Sequence, residues 1–127
     1  SQRTALDATQ KTTLKIDEHE YQVEIADTLI SQARGLSGRD PLPEGSGMLF
    51  VFTSPSSQSF WMHGMKFDLD FIWIAHNEVI GITENVSASS KALYHPPSPA
   101  DLVLEVNAGT VSKDGIKIGD TVELRKE

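Results

Sequence analysis

A chain of 127 residues is long enough for one hydrophobic core and too short for two. Eleven basic residues against eighteen acidic ones give a net charge of -7. The basic residues are scattered singly apart from Arg125-Lys126, so no patch offers itself to nucleic-acid phosphates. There are no cysteines, which excludes disulfides, zinc thiolates, iron–sulfur clusters and thiol nucleophiles together.

No apolar run reaches transmembrane length. The first residues, SQRTALDATQKTT, are polar and lack the apolar stretch of a signal peptide. Two histories fit this start: a cytoplasmic protein, or one whose leader was removed before Ser1. The lack of free thiols leans to the second, so an extracytoplasmic location, periplasmic or secreted, is the expectation. Residues 1–11 show no periodicity and read as a flexible tail, leaving 12–127 as a single globular domain.

Leu14 and Ile16, then Tyr21, Val23 and Ile25, alternate with polar neighbours on either side of Asp17-Glu18-His19-Glu20. That pattern predicts a β-hairpin with one buried face. The period then changes. Leu29, Ile30, Ala33 and Leu36 lie at helical spacing, with Asp27 or Thr28 available as N-cap and Gly35 and Gly38 as stops. Residues 37–47 are a loop punctuated by two prolines and three glycines.

Gly47 to Ala75 holds all three methionines, both tryptophans and all five phenylalanines, which marks where the core lies. Met48–Phe52 predicts a strand buried on both faces, Thr53–Ser59 a turn, Phe60–Met62 the start of another strand, and Leu69–Ile74 a further one. Val79–Ile82 continues the series. Residues 85–100 form a long loop ending in Tyr94-His95-Pro96-Pro97-Ser98-Pro99, too rich in proline for a central strand. Leu102–Val106 is a strand, Ala108–Asp114 one or two helical turns stopped by Gly115, and Thr121–Leu124 a last strand. The expected fold is therefore α+β, predominantly β: a partly closed barrel or sandwich of about seven strands with two short helices.

The residues Gly35-Leu36, Arg39, Gly47-Met48-Leu49-Phe50, Phe60-Trp61-Met62, Leu69-Asp70, Val103-Leu104-Glu105 and Ala108-Gly109 occur in the order of a known pattern: GLxxR, GMLF, FWMxxM, LD, VLExxAG and GIxxGD. From about residue 20 to the C-terminus the chain resembles domain of unknown function family number 192. The resemblance implies a compact β-rich bacterial or archaeal domain with two helices, often exported, and no established activity. This chain departs from the pattern at three places. His63-Gly64 stands where Lys-Asn is usual, Asp68 where proline is usual, and Ser37 where methionine is usual.

Three constellations could carry chemistry. The first is Arg39, Trp61, His63, Asp70, Tyr94, Glu105 and Asn107. Asp70 sits in an apolar run, where a carboxylate costs several kcal/mol (roughly) unless it is paired, and Arg39 is the candidate partner. Trp61, Tyr94 and His95 offer stacking faces for a small polar ligand, plausibly a carbohydrate, with Asp70, Glu105 and Asn107 binding its hydroxyls. The same carboxyls could act as a glycosidase pair, provided both reach one side of the sheet. Alternatively, these residues only specify the fold of a structural or protein-interaction domain.

The second constellation is Met48, Met62, His63 and Met65, soft donors suited to Cu(I), against their ordinary use as core filler. The third is a turn serine, among them Ser54, Ser56, Ser57 and Ser59, with His95 as base, although no GxSxG elbow exists. No phosphate-cradling glycine motif, EF-hand loop or HExxH is present, and no cofactor is expected.

Overall fold

The computed structural model describes residues 10–125. Most of the expected tail, residues 1–9, lies outside them, and Lys11 already belongs to the first strand. In order, the elements are β1 (Lys11–Ile16), β2 (His19–Ala26), α1 (Leu29–Arg34), β3 (Ser46–Ser56), β4 (Leu69–Ala75), β5 (Glu78–Val86), β6 (Ala100–Asn107), α2 (Thr110–Asp114) and β7 (Val122–Leu124).

All seven strands join one sheet in the order β5-β4-β6-β3-β2-β1-β7. It curls into a half-barrel, so the predominantly β, partly closed architecture expected above is the one observed. At one end the two edges meet. Glu78 of β5 bridges Thr121 beside β7, and backbone bonds link Val79 to Gly119 and Asp120, and Val122 to Asn77.

Local chemistry accounts for the elements. The hairpin β1–β2 turns over Asp17-Glu18 alone, with Asp17 in the left-handed region that short polar side chains tolerate. Parallel strands need a crossover, and β2–α1–β3 supplies the parallel pair in an otherwise antiparallel sheet. Thr28 is the N-cap of α1: its hydroxyl accepts from Ser31 N, and the Ser31 hydroxyl accepts in return from Thr28 N. The helix nevertheless buries no residue. Leu29 and Ile30 are exposed, and it is Leu36, just beyond the helix, that enters the core.

Two sequence expectations need correction. Strand β3 runs through the predicted Thr53–Ser59 turn as far as Ser56, after a register irregularity beyond Val51. Phe60–Met62 is not the start of a strand. Phe60 makes a single bridge to Tyr94, and the chain from Trp61 to Asp68 is irregular.

The sheet has an apolar layer on each face. One contains Leu14, Val23, Leu49, Ile72, Ile74, Leu104 and Val106, with contributions from all seven strands and from α2. The other, on the opposite side of β3, β4 and β6, contains Met48, Phe50, Phe71, Trp73 and Val103, and is covered by Leu36, Leu42, Met62 and Phe67. This two-sided burial explains why β4 is buried at every position.

The layers leave no slack between β3 and β6. A Cβ on Gly47 would meet the Glu105 carbonyl oxygen and Leu104 Cδ1, each at 2.9 Å. Gly47→Ala should therefore destabilise the fold by roughly 1–3 kcal/mol, read as a lower midpoint in urea. An unchanged midpoint would refute the close approach.

Candidate functional site

Register decides which polar residues can meet. Asp70 pairs with Val106 across β4–β6, and Phe71 pairs with Glu105. Directly opposed residues share a face and neighbours in sequence alternate, so Asp70 lies with the first apolar layer and Glu105 with the second. The two carboxyls point to opposite sides of the sheet. A glycosidase pair built from Asp70 and Glu105 is thereby ruled out.

Asp70 is fully buried and saturated with backbone donors. Its Oδ1 accepts from Asn85 N at 2.8 Å, and its Oδ2 from Gly109 N at 3.1 Å and Val111 N at 2.9 Å. The N-cap of α2 is Gly109, which has no side chain to satisfy the first amides of the helix. Asp70 does so from β4, across nearly forty residues of sequence. Arg39 is not its partner: the guanidinium makes two bonds to Glu24 of β2, at 3.0 and 2.5 Å. These bonds hold Arg39 still more firmly protonated. The expected Arg39–Asp70 pair is thus replaced by two separate structural devices.

Asn107 is also occupied. Its Oδ1 accepts from Leu42 N at 3.0 Å and its Nδ2 donates to Leu42 O at 2.7 Å, clamping the loop between α1 and β3. Tyr94 is half-buried, tilted against Phe71, with its hydroxyl on Ser90 Oγ. Of the expected ligand-binding residues, only Trp61 and Glu105 line one cleft. His63 flanks it, its ring stacked 4.9 Å from that of Trp61.

This cleft has a volume of about 330 Å³ and lies between α1 and residues 58–65. Phe50, Phe52, Phe60 and Trp61 wall it, and Glu105 lies among its lining residues with Arg34. Phe60 is the centre of an aromatic cluster, 5.0 Å from Phe50, 5.6 Å from Trp73 and 5.9 Å from Phe71. Trp61, by contrast, is 63% exposed.

Glu105 is 5% exposed, and among the described residues no hydrogen bond or ion pair reaches its carboxyl. Burial pushes its pKa up to about 8. This is a carboxyl held mostly as the neutral acid at pH 7, facing a cleft. The sequence points to Glu105 only as one of several carboxylates. What singles it out is its place in the alternation, with Val103 and Met48 as neighbours on one face, opposite to Leu104 and Val106.

The other constellations separate. Met48 and Met62 are buried in the second apolar layer, whereas His63 is exposed on the outside. No group of three or more His, Asp or Glu among the described residues is placed to hold a metal ion. Ser59 Oγ and His95 Nδ1 are 3.2 Å apart, but among the described residues no carboxylate accepts a hydrogen bond from the other ring nitrogen. No helix among them is long and apolar enough to cross a membrane.

The sequence of residues 12–124 matches the family model DUF192, described as an uncharacterised ACR. The chain belongs to this family. Two crystal structures share its fold at 30% identity and a TM-score of 0.88. One is from Sinorhizobium meliloti 1021, named as a candidate transcription regulator, with 92% of this chain and 95% of that one covered. The other is a protein of unknown function from Novosphingobium aromaticivorans DSM 12444, with 93% and 88% covered. No curated protein matches the sequence. Two departures from the family pattern touch each other: the Ser37 hydroxyl donates to His63 O at 2.8 Å, and a Cβ on Gly64, whose φ is +78°, would lie 3.2 Å from Ser37. The third departure, Asp68, accepts from Ala88 N at 2.8 Å.

Two predictions separate the carboxyls. Asp70→Ala strands three amide donors and should cost roughly 3–5 kcal/mol. Hydrogen exchange should quicken first at Asn85, Gly109 and Val111; unchanged protection there would contradict the capping role. For Glu105 the folded pKa lies above the ordinary 4.5, so the native state holds a proton that the unfolded chain releases. Its contribution to stability is full below pH 4.5 and is lost as pH rises to about 8. Glu105→Gln should remove that slope and gain on the wild type by up to roughly 5 kcal/mol across this window, measured by denaturation at each pH. Parallel pH profiles for the two proteins would contradict it.

Proposed function

We propose that this domain binds a small ligand with a polar head in the aromatic cleft, with Glu105 as the anchor and Trp61 as the outer wall. One observation carries the reading: Glu105 is almost wholly buried, and its carboxyl reaches the cleft without a protein partner. Burying such a group without a partner opposes folding, so a fold-only role for Glu105 is disfavoured. Asp70 and Asn107, whose bonds are complete within the protein, belong to the scaffold. The cleft sets aromatic walls beside polar side chains, Gln32, Arg34, Gln58 and Glu105 among them, the mixture of surfaces by which ligand sites orient what they bind.

The same proposal retains an extracytoplasmic location, and recovery of the protein in the cytoplasmic fraction of its native cells would overturn that part. The Sinorhizobium relative is named as a regulator, but a net charge of -7 disfavours contact with a phosphate backbone here.

Amide chemical-shift mapping against neutral sugars, small acids and small amines tests the binding reading. The expected result is a ligand whose shifts cluster at Leu36–Ser37 and Phe60–Met65. Tryptophan fluorescence should respond through exposed Trp61 and lose the response in Trp61→Phe, since Trp73 is buried. If no compound moves those amides, the domain is better read as an interaction module.

A further inference from the structure

We infer that the ligand of this cleft carries an organic cation, a protonated amine, seated on Glu105 between aromatic faces. The inference rests on the binding proposal above and narrows its ligand class. Four aromatic side chains, Phe50, Phe52, Phe60 and Trp61, share the cleft lining with a single carboxyl. Aromatic faces carry negative potential and attract cations, most strongly where water is excluded. A carboxyl supplies the countercharge and accepts the N–H bonds.

The neighbours of Glu105 favour a cation over the other classes. On the flanking strands it is paired with Met48 and Phe71, both uncharged. The covering segment presents Phe60, Trp61 and Met65 to the cleft, while His63 stands outside on Trp61. From α1 comes Arg34, exposed, the one other charged residue of the lining. No protein cation is paired with Glu105 among the described residues. An anionic ligand would meet a carboxyl in a protein of net charge -7. A sugar needs several hydrogen-bonding groups, and the other polar side chains of the lining already have partners: Gln32 donates to Ala26 O and Val51 O, the Ser37 hydroxyl donates to His63 O, Ser59 Oγ is bonded to His95 Nδ1, and Gln58 is engaged as well. Arg34 further disfavours a ligand cationic at both ends.

Binding has a proton balance. Near neutral pH free Glu105 is mostly the acid, and an ammonium group stabilises the carboxylate. Each bound amine therefore expels close to one proton from Glu105 to the buffer, with the amine itself remaining protonated. A neutral ligand expels none.

Benzylamine and benzyl alcohol make a matched pair of probes, charged and uncharged, with methyl glucoside as the neutral sugar. Titration calorimetry at about pH 7, in buffers of different ionisation enthalpy, should give benzylamine at least about a tenfold advantage over the alcohol. It should also show release of up to about one proton per amine bound. Glu105→Gln should abolish both effects while amide shifts show the fold intact. If that variant does not fold, the wild-type preference for benzylamine over benzyl alcohol decides. Equal binding of alcohol or glucoside at the cleft amides without proton release overturns the cation inference and leaves the cleft proposal standing. Failure of all three probes to move those amides overturns the cation inference. Failure of the wider panel of sugars, acids and amines as well overturns the cleft proposal too.

Discussion

The period-two register of β4 against β6 is the constraint on which the rest of this molecule depends. Because Phe71 is opposed to Glu105 and Asp70 to Val106, one carboxyl is committed to each apolar layer. A slip of one residue would exchange them and bring every neighbouring apolar side chain to the wrong face. Such a slip is prevented on both sides at once. Ile72, Ile74, Leu104 and Val106 fill one layer while Phe71, Trp73 and Val103 fill the other. The alignment that organises the core therefore also separates scaffold from site.

The two buried carboxyls meet the same desolvation penalty in opposite ways. Asp70 meets it with three backbone N–H donors, and in doing so ties β4 to the end of β5 and to the start of α2. Those contacts join β4 to its neighbour β5 and to α2, about forty residues further on, and they leave Asp70 fully buried. Glu105 meets it by keeping its proton. The first solution makes a rigid joint. The second leaves an acceptor and a donor unused beside a cleft, an arrangement that opposes stability and that packing alone does not require. A methionine or leucine would fill the same space more favourably.

Much of this was legible in the chain. Alternation located the hairpin and apolar runs located β4 and β6, while of the cap candidates Asp27, Thr28, Gly35 and Gly38 it is Thr28 and Gly35 that bound α1. Strand β3 was read too short because its Ser/Pro segment carries turn chemistry, while pairing of Ser56 with Ala100 extends it. Phe60-Trp61-Met62 looked like a strand because it is apolar. In fact Phe60 and Met62 cover the second layer as irregular chain, with Trp61 left outside. The Arg39–Asp70 pair failed for a different reason. A sequence shows that a buried aspartate needs donors, but not that backbone amides can supply all of them. Glu24, exposed by pattern on a half-buried strand, gave no local sign that it would hold Arg39. The opposite orientation of Asp70 and Glu105 needed the inter-strand register, which no single strand contains.

The wall of the cleft follows from the same physics. Residues 57–68 do not add a strand, so their backbone is fixed by few long-range bonds: the Phe60–Tyr94 bridge, Gly38 N to Gly64 O, Ser37 Oγ to His63 O, and Ala108 N to Asp68 O. Aromatic packing of Phe60 anchors the segment near its start. Of the chain's departures from the family pattern, His63-Gly64 lies in this segment and Ser37 lies beyond α1, and the two contact each other, with His63 stacked on Trp61. A lysine at position 63 would set a cation beside the tryptophan at the mouth; a histidine places a flat ring there instead. The sheet fixes the floor of the cleft, whereas its rim is built from irregular chain. Under the proposed binding role, changes at the rim alter what the cleft admits while Glu105 is held in place by the register beneath it.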